Sequence, residues 1–283
     1  MKLYKLRETV IIDDGNEYFA IDRDWDDLTN RNELFQCLSR EKSAALPLSQ
    51  ESAMNLLAGE ILPPIGTQEV WAAGVTYMRS RNARMEEAKE SGGASFYDKV
   101  YEAERPELFF KSLPHRVAGH NQQVFIRRDS DWNVPEPELT LFLNSSKQIQ
   151  GYTIGNDMSS RSIEGENPLY LPQAKMYERS AALGPCLLVP ENPLKSGTTI
   201  RMKIIRDDQS VYEDAVEISR IKRTFSELID FLCREYFFPQ GCFLMTGTCL
   251  VPPNDFTLRS ADRVEISIDG IGTLSNIVEY SWR

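Results

Sequence analysis

Three carboxylates in the middle of the chain have a spacing that could hold a divalent metal ion. Glu136 and Glu138 flank Pro137 just ahead of the apolar run 139–143, and Asp157 follows a second apolar run. Pro137 keeps the backbone extended, so the two glutamates point to the same side. Three carboxylates with little nitrogen or sulfur nearby favour Mg²⁺, Mn²⁺ or Ca²⁺ over zinc. An E-x-E pair by itself, however, is more often a solvated strand end.

Two further residues, Lys175 and Glu107, are candidates for proton transfer. Lys175 lies in the string P-Q-A-K-M-Y, where a lysine could simply snorkel to the surface. Beside a bound cation its pKa would fall, and it could then act as a base near neutral pH. Glu107 begins the string E-L-F-F-K and is either an ordinary strand carboxylate or a group that holds a water or a proton. Lys111 ends that string four residues later. Because alternate residues of a strand face the same side, Lys111 can face the same side as Glu107.

The elements that must position these groups are mostly short strands. Turn signals separate apolar or alternating segments from residue 124 onward, which predicts strands at 124–127, 139–143, 151–154, 187–189, 199–205, 243–245, 263–268 and 274–280. One helix is predicted over 224–236 from apolar residues at helical spacing. This pattern indicates an α+β fold rich in β-structure. If the predicted strand 151–154 pairs beside the strand 139–143, Asp157 lies near Glu136 and Glu138 and becomes a third metal ligand.

The first 65 residues predict a small N-terminal domain. Alternating runs around the turn sequence D-D-G-N predict a hairpin within 1–23. Short helices are expected at 31–38 and 50–57, the second with Ser49 as its N-cap. Because Gly59 and two prolines stop that helix, we divide the chain into residues 1–65 and a catalytic domain, 66–283.

The start of the second domain predicts a strand, 69–75, and then a segment that could cover a site. Residues 78–90 are charged, Gly92 and Gly93 follow, and 96–103 has a helical pattern. The glycine pair could act as a hinge for a cover. A solvated pair of surface helices fits the same pattern.

Composition excludes several classes of function. The chain has 283 residues and a net charge of −10, which disfavours nucleic acids and anionic membranes as partners. No apolar run approaches the ~20 residues of a membrane-spanning helix, and the N-terminus lacks the pattern of a signal peptide. The five cysteines have no C-x-x-C spacing, so we expect reduced thiols and a cytoplasmic protein.

Long strings of the sequence, taken in order, resemble those of a known family. G-V-T-Y, R-P-E-L-F-F-K, P-E-P-E-L, Y-T-I-G-N-D-M-S-S-R and L-M-T-G-T resemble the fumarylacetoacetate hydrolase superfamily across roughly residues 66–280. The strings E-N-P-L-Y-L-P-Q-A-K-M-Y and D-K-V-Y-E-A-E-R-P-E-L-F-F-K are similar to its 2-keto-3-deoxy-D-arabinonate dehydratase branch. The resemblance implies a mixed β-roll of the fumarylacetoacetase C-terminal type, preceded by a small N-terminal α/β domain.

The resemblance also implies roles for residues of this chain. By this resemblance, the three carboxylates would bind Mg²⁺. Lys175 would contact the oxo-acid end of the substrate and transfer a proton, and Glu107 would be an active-site glutamate. Thr248 of the T-G-T string would touch the substrate carboxylate. The rest of the expected substrate-binding set is Arg81, Thr76 and Lys111, whereas Arg161 is expected to pair with a nearby acid.

One departure from the superfamily bears on the reaction. Its carbon–carbon hydrolases usually carry G-x-N-Y-x-x-H, whose histidine activates water through a glutamate. Here Ser80 stands at the histidine position, and a serine cannot act as that base. The dehydratase branch lacks the histidine as well.

These observations together predict Mg²⁺-dependent dehydration of a 2-keto-3-deoxy sugar acid, a pentonate, to 2,5-dioxopentanoate. The resemblance further implies a homodimer or homotetramer. The alternative enzyme function is carbon–carbon hydrolysis or decarboxylation of 2,4-dioxo or oxo acids at the same metal site. A third interpretation is an oligomer that binds metal but has lost turnover.

Overall fold

The computed structural model describes residues 1–77 and 99–281, and these residues form two packed β-sheets. The larger sheet has eleven strands in the described ranges. In chain order, β1–β7 are Lys2–Lys5, Val10–Asp13, Tyr18–Ile21, Pro47–Leu48, Glu69–Gly74, Glu107–Ser112 and Val117–Ala118, and the other four are Pro137–Leu143 (β10), Ile149–Asp157 (β11), Ala181–Leu188 (β13) and Cys242–Met245 (β16). Within the sheet these strands have the order β4-β3-β2-β1-β13-β11-β10-β16-β5-β6, and β7 pairs with β13.

A second, five-stranded sheet packs against the larger one and has the order β15-β14-β17-β18-β8. Its strands are Gln123–Ile126 (β8), Thr199–Arg206 (β14), Gln209–Glu217 (β15), Arg263–Ile268 (β17) and Gly272–Tyr280 (β18). Two short strands, Asn133–Val134 (β9) and Ser159–Ser160 (β12), pair with each other. The α+β, β-rich fold class predicted from the sequence is therefore confirmed.

Six α-helices lie wholly within the described residues: Trp25–Thr29 (α1), Leu34–Ala44 (α2), Gln50–Leu57 (α3), Arg161–Glu166 (α4), Leu171–Lys175 (α5) and Phe225–Leu232 (α6). Ser49 caps α3 as predicted, since its hydroxyl accepts from the Ser52 N–H. The predicted helix at 31–38 instead begins at Leu34 and runs to Ala44. The predicted helix 224–236 ends at Leu232. None of the helices in the described ranges is long and apolar enough to cross a membrane.

Strand β10 lies in the middle of the larger sheet and is buried on both faces. Leu139 and Leu141 join Met202 and Ile266 of the second sheet in one apolar core, while Phe142 on the opposite face joins a core shared with the N-terminal elements. Burial on both faces explains the continuous apolar sequence of this strand. The carboxylates at its start are thus held by a rigid, central element.

The N-terminal region is a three-stranded meander, not the single hairpin predicted for 1–23. Strands β2 and β3 pair across the D-D-G-N turn, and β1 pairs with β2. On its other side β1 pairs with β13, so the larger sheet contains strands from both sides of residue 65. The division into domains 1–65 and 66–283 stays a prediction. The predicted cover, apart from residues 99–103, lies outside the described residues.

Candidate metal and active site

The pairing of β10 with β11 brings the three predicted metal ligands together. Glu138 lies opposite Gly155 in the antiparallel register, and the Asp157 N–H donates to the Glu136 carbonyl at 2.9 Å. Glu136, Glu138 and Asp157 therefore share one face at one end of the two strands. One oxygen from each carboxylate lies within 4.8 Å of the others, which is close enough for a single ion.

One oxygen of each carboxylate is held by a donor of the protein. The Arg161 guanidinium lies 2.6 Å from Glu136 Oε1, and the Gly247 N–H donates to Glu138 Oε2 at 2.6 Å. Lys111 Nζ lies 2.6 Å from Asp157 Oδ1 in a buried ion pair. These groups fix one oxygen of each carboxylate, whereas the second oxygens of Glu136 and Asp157 contact the Lys175 ammonium group.

Lys175 lies within this cluster, at the end of the short helix α5. Its Nζ donates to Glu136 Oε2 at 2.7 Å and to Asp157 Oδ2 at 2.9 Å, and it also donates to the Ser159 hydroxyl. Glu164 Oε1 is a further contact, at 3.3 Å. The predicted proton-transfer residue is therefore buried against the predicted metal ligands.

The charges of the cluster favour a divalent cation. Among the described residues four carboxylates face three cations, a net charge of −1 if all are ionised: Glu136, Glu138, Asp157 and Glu164 against Lys111, Arg161 and Lys175. Burial, together with the neighbouring Asp157 and Glu136, raises the pKa of Glu138 well above the ordinary glutamate value. Oxygen donors with an excess of negative charge are what Mg²⁺ binds in proteins, so the residues present fit this ion.

Lys111 connects three parts of the site. Besides the ion contact with Asp157, its Nζ donates to the carbonyls of Met158, at 3.0 Å, and of Lys175. Burial lowers the pKa of Lys111. The ammonium group thus contacts three oxygens of the protein, and the predicted contact of Lys111 with the substrate stays a prediction.

Glu107 lies at the start of β6, opposite Gly74 of β5. A Cβ added to Gly74 would be 1.9 Å from Glu107 Oε2, so the carboxylate occupies the space that a side chain at 74 would need. Gly74 lines the cavity that also contains the three metal-ligand candidates, Lys175 and Thr248. The structure therefore brings Glu107 to the edge of the candidate site.

The two predicted substrate-binding threonines differ in position. Thr248 lines the cavity. Thr76 is buried, and its hydroxyl donates to the Thr246 carbonyl at 2.8 Å, beside Gly247, whose N–H holds Glu138. Arg81 lies outside the described residues, as does Ser80.

Sequence reasoning did not identify Glu164. Its carboxylate is 1% exposed and contacts both Lys175 and Arg161, the latter at 3.3 Å. Arg161 and Glu164 stand three residues apart on α4, a spacing at which helical side chains meet. That spacing was the available signal, although it could not indicate that the pair would be buried beside Lys175.

Comparison with known proteins identifies the family. The model of the family described as fumarylacetoacetate (FAA) hydrolase C-terminal matches residues 70–279. The chain belongs to the fumarylacetoacetate hydrolase family. That match spans every residue of the candidate site described above.

Two curated relatives and one solved structure are similar to this family member. A protein of Haloferax volcanii, named probable 2-keto-3-deoxyxylonate dehydratase, is 47% identical over 216 residues, which cover 76% of this chain and 73% of that protein. The 2-dehydro-3-deoxy-D-arabinonate dehydratase of Saccharolobus solfataricus is 42% identical over 217 residues, covering 76% and 72%. A structure of 2-keto-3-deoxy-D-arabinonate dehydratase complexed with magnesium and 2,5-dioxopentanoate superposes with a TM-score of 0.85 at 34% identity, with 100% of both chains covered.

Proposed function

We propose that this protein is a Mg²⁺-dependent hydro-lyase that dehydrates a 2-keto-3-deoxy-pentonate to 2,5-dioxopentanoate in sugar-acid breakdown. The observation that carries the proposal is the buried cluster of Glu136, Glu138 and Asp157, with Lys175 in contact with two of them. Support also comes from the two relatives, which are named as dehydratases of such acids. The similar structure that contains magnesium and 2,5-dioxopentanoate agrees with both the ion and the product.

Glu136, Glu138 and Asp157 would hold Mg²⁺ through the oxygens that Arg161, Gly247 and Lys111 leave available. When bound, Mg²⁺ acts as a Lewis acid toward the 2-oxo group of the substrate and makes the C3 protons more acidic. The ion would change the charge of the cluster from −1 to +1. The positive charge that the ion adds favours binding of the single carboxylate of a 2-keto acid.

Dehydration requires removal of a C3 proton and departure of the C4 hydroxyl as water. Lys175 and Glu107 are the two residues proposed to move these protons. Tautomerisation, in which C5 and its hydroxyl group each lose a proton while C3 and C4 each gain one, then gives the C5 aldehyde. Comparing the pH–rate profiles of Lys175 and Glu107 variants determines which residue is the acid and which is the base.

The substrate would be oriented from the rim of the cavity. Thr248 is proposed to donate to the substrate carboxylate, and Arg81 to approach it from the segment between residues 77 and 99. Thr76 and Lys111 complete the proposed set, although their contacts in the described structure are with the protein itself.

The domain division, the location and the assembly are also proposals. Residues 1–65 would form a small domain and 66–283 the catalytic domain. No disulfide joins any of the five cysteines, all of which lie among the described residues, which is consistent with the reducing cytoplasm. A homodimer or homotetramer is expected, and sedimentation equilibrium measures the mass of the assembly directly.

A panel of substrates tests the proposed reaction. Purified protein is incubated with 2-keto-3-deoxy-pentonates, 2-keto-3-deoxy-hexonates, an acylpyruvate and oxaloacetate, and the products are identified by NMR. The proposal expects 2,5-dioxopentanoate from a pentonate, with no cleavage of carbon–carbon bonds. Cleavage of the acylpyruvate without any dehydration product would overturn it and favour the hydrolase alternative.

A further inference from the structure

Lys175 has contacts with the same carboxylates that a metal ion would use. Its Nζ lies 2.7 Å from Glu136 Oε2 and 2.9 Å from Asp157 Oδ2. A divalent cation bound to these oxygens would repel the ammonium group and weaken both contacts. Lys175 must then keep its position through other acceptors if it is to act on the substrate.

Glu164 is the acceptor best placed for that role. Glu164 Oε1 is 3.3 Å from Lys175 Nζ, and the carboxylate is not one of the metal-ligand candidates. Its other oxygen, Oε2, lies 3.3 Å from the Arg161 guanidinium, which itself holds Glu136 Oε1. The Glu164 carboxylate is thus fixed on one side by Arg161 and contacts Lys175 on the other.

The backbone around Glu164 keeps this carboxylate in place. Helix α4 begins after Ser160, whose hydroxyl accepts from the Ile163 N–H, and the Arg161 N–H donates to the Trp132 carbonyl at 2.7 Å. Both Arg161 and Glu164 are buried. Because water does not screen a buried charge, a buried carboxylate stabilises a nearby ammonium group more strongly than an exposed carboxylate does.

We propose that Glu164 is a positioning residue that retains Lys175 when a divalent cation occupies Glu136, Glu138 and Asp157. Lys175 moves its ion pairing toward Glu164 and Ser159 on metal binding and stays beside the substrate. This inference rests on the proposed function, since it takes Mg²⁺ as the cation and Lys175 as the proton-transfer residue.

The contacts of Lys175 give the expected effect of removing Glu164. Without the Glu164 carboxylate, Lys175 loses its alternative ion partner and competes with the cation for Glu136 and Asp157. Glu164→Gln should therefore weaken metal binding as well as turnover. Changes in outer-shell partners typically cost about 10–100-fold in metal affinity or activity.

The direct test is calorimetric titration with Mg²⁺ alone. Wild type, Glu164→Gln and Glu164→Asp are compared, with Glu166→Gln as the matched control because Glu166 lies on the same helix and is exposed. We expect Glu164→Gln to bind Mg²⁺ at least about tenfold more weakly and to lower kcat more than it raises KM. Glu164→Asp should restore part of both losses, and Glu166→Gln should match wild type.

A double-mutant cycle separates positioning of Lys175 from a general structural effect. If Glu164 acts through Lys175, Glu164→Gln should change Mg²⁺ affinity by less than about twofold in a Lys175→Met background. An equal loss in both backgrounds would overturn the proposal. Mg²⁺ affinity unchanged from wild type in Glu164→Gln would also overturn it.

Two further outcomes keep the test decisive. Should Glu164→Gln fail to fold, Glu164→Asp retains the charge with a shorter side chain, and a loss of Mg²⁺ affinity in that variant that is equally large in the Lys175→Met background would contradict the proposal. A wild-type protein that neither binds Mg²⁺ nor dehydrates a keto-deoxy acid would instead overturn the proposed function on which the inference rests.

Discussion

Lys111 and Asp157 form a buried ion pair, with Nζ 2.6 Å from Oδ1 and neither side chain more than 1% exposed. The lysine comes from β6 and the aspartate from the end of β11. Since Lys111 also donates to the carbonyls of Met158 and Lys175, one ammonium group fixes the aspartate and the end of helix α5. The metal-ligand candidate and the proton-transfer candidate are thereby oriented by the same residue.

Removal of Lys111 should therefore destabilise the fold and impair metal binding together. Lys111→Met retains most of the side-chain volume but leaves Asp157 buried without this cation, which typically costs about 3–5 kcal/mol. Urea unfolding in EDTA measures the loss, and Lys195→Met, at an exposed lysine, is the control. Equal free energies of unfolding in the two variants would contradict this role.

Substitution of one ligand candidate should abolish the metal-dependent reaction. Asp157→Asn keeps the shape of the side chain but removes the negative charge that Mg²⁺ prefers in an oxygen ligand. We expect no Mg²⁺-dependent turnover from this variant, while Asp255→Asn, at an exposed aspartate, remains fully active. Activity retained in Asp157→Asn would remove Asp157 from the metal site.

Mg²⁺ binding should strengthen as the pH rises, because Glu138 must lose a proton to bind the ion. Burial, with Asp157 and Glu136 nearby, raises the pKa of Glu138 well above its usual value. A carboxyl whose pKa is raised on folding stabilises the fold fully below its unfolded pKa, and this contribution is lost as the pH rises through the folded value. Mg²⁺ should offset that loss.

Thermal unfolding from about pH 5 to about pH 8, in EDTA and in Mg²⁺, checks both parts of this prediction. Glu138→Gln is the control, because a glutamine has no proton to release. The difference in stability between wild type and this variant should change with pH in EDTA. A Mg²⁺ affinity that is independent of pH would count against Glu138 as a ligand.

The turn at Gly247 should not tolerate a side chain. Gly247 has φ +94°, and an added Cβ would lie 2.0 Å from Thr76 Oγ1. Gly15 has the same φ of +94° with nothing within 4 Å of an added Cβ, so Gly15→Ala isolates the backbone cost, about 1–2 kcal/mol. Gly247→Ala should lose clearly more stability than that and should also lose Mg²⁺-dependent activity, since the Gly247 N–H holds Glu138.

Loss of either proton-transfer candidate should lower kcat more than it changes KM. Lys175→Met and Glu107→Gln should each reduce kcat by about 10²–10⁴-fold. Glu104→Gln, at an exposed glutamate, should not. Steady-state kinetics at saturating Mg²⁺ separates the two constants, and a Glu107 variant with wild-type kcat would exclude Glu107 from the chemistry.

The sequence predicted those parts of the fold that depend on local pattern. The apolar runs before and after residue 145 predict β10 and β11, and Pro137 predicts that Glu136 and Glu138 share a face. The structure adds the pairing that brings Asp157 beside them. Strand β15 was not predicted, because its residues are mostly exposed and polar and its register comes from pairing with β14.

The contacts around the candidate ligands depend on tertiary structure, and the sequence alone did not give them. Arg161 was expected to pair with an acid, but no spacing indicates that the acid is Glu136, twenty-five residues earlier. The role of Lys111 as a buried link depends on β6 lying at the sheet edge near the end of α5. Helices α4 and α5 were not predicted. They have only six and five residues, which is too few to show the spacing of apolar residues that indicates a helix.

The central claim, metal-dependent dehydration of a keto-deoxy acid, is tested most directly by one time course. The protein is incubated with a 2-keto-3-deoxy-pentonate in Mg²⁺, in EDTA, and in EDTA followed by excess Mg²⁺, while the aldehyde product is followed. The account predicts 2,5-dioxopentanoate with Mg²⁺, none in EDTA, and recovery when the ion is restored. Aldehyde formed at the same rate in EDTA, or no aldehyde under any of the three conditions, would contradict it.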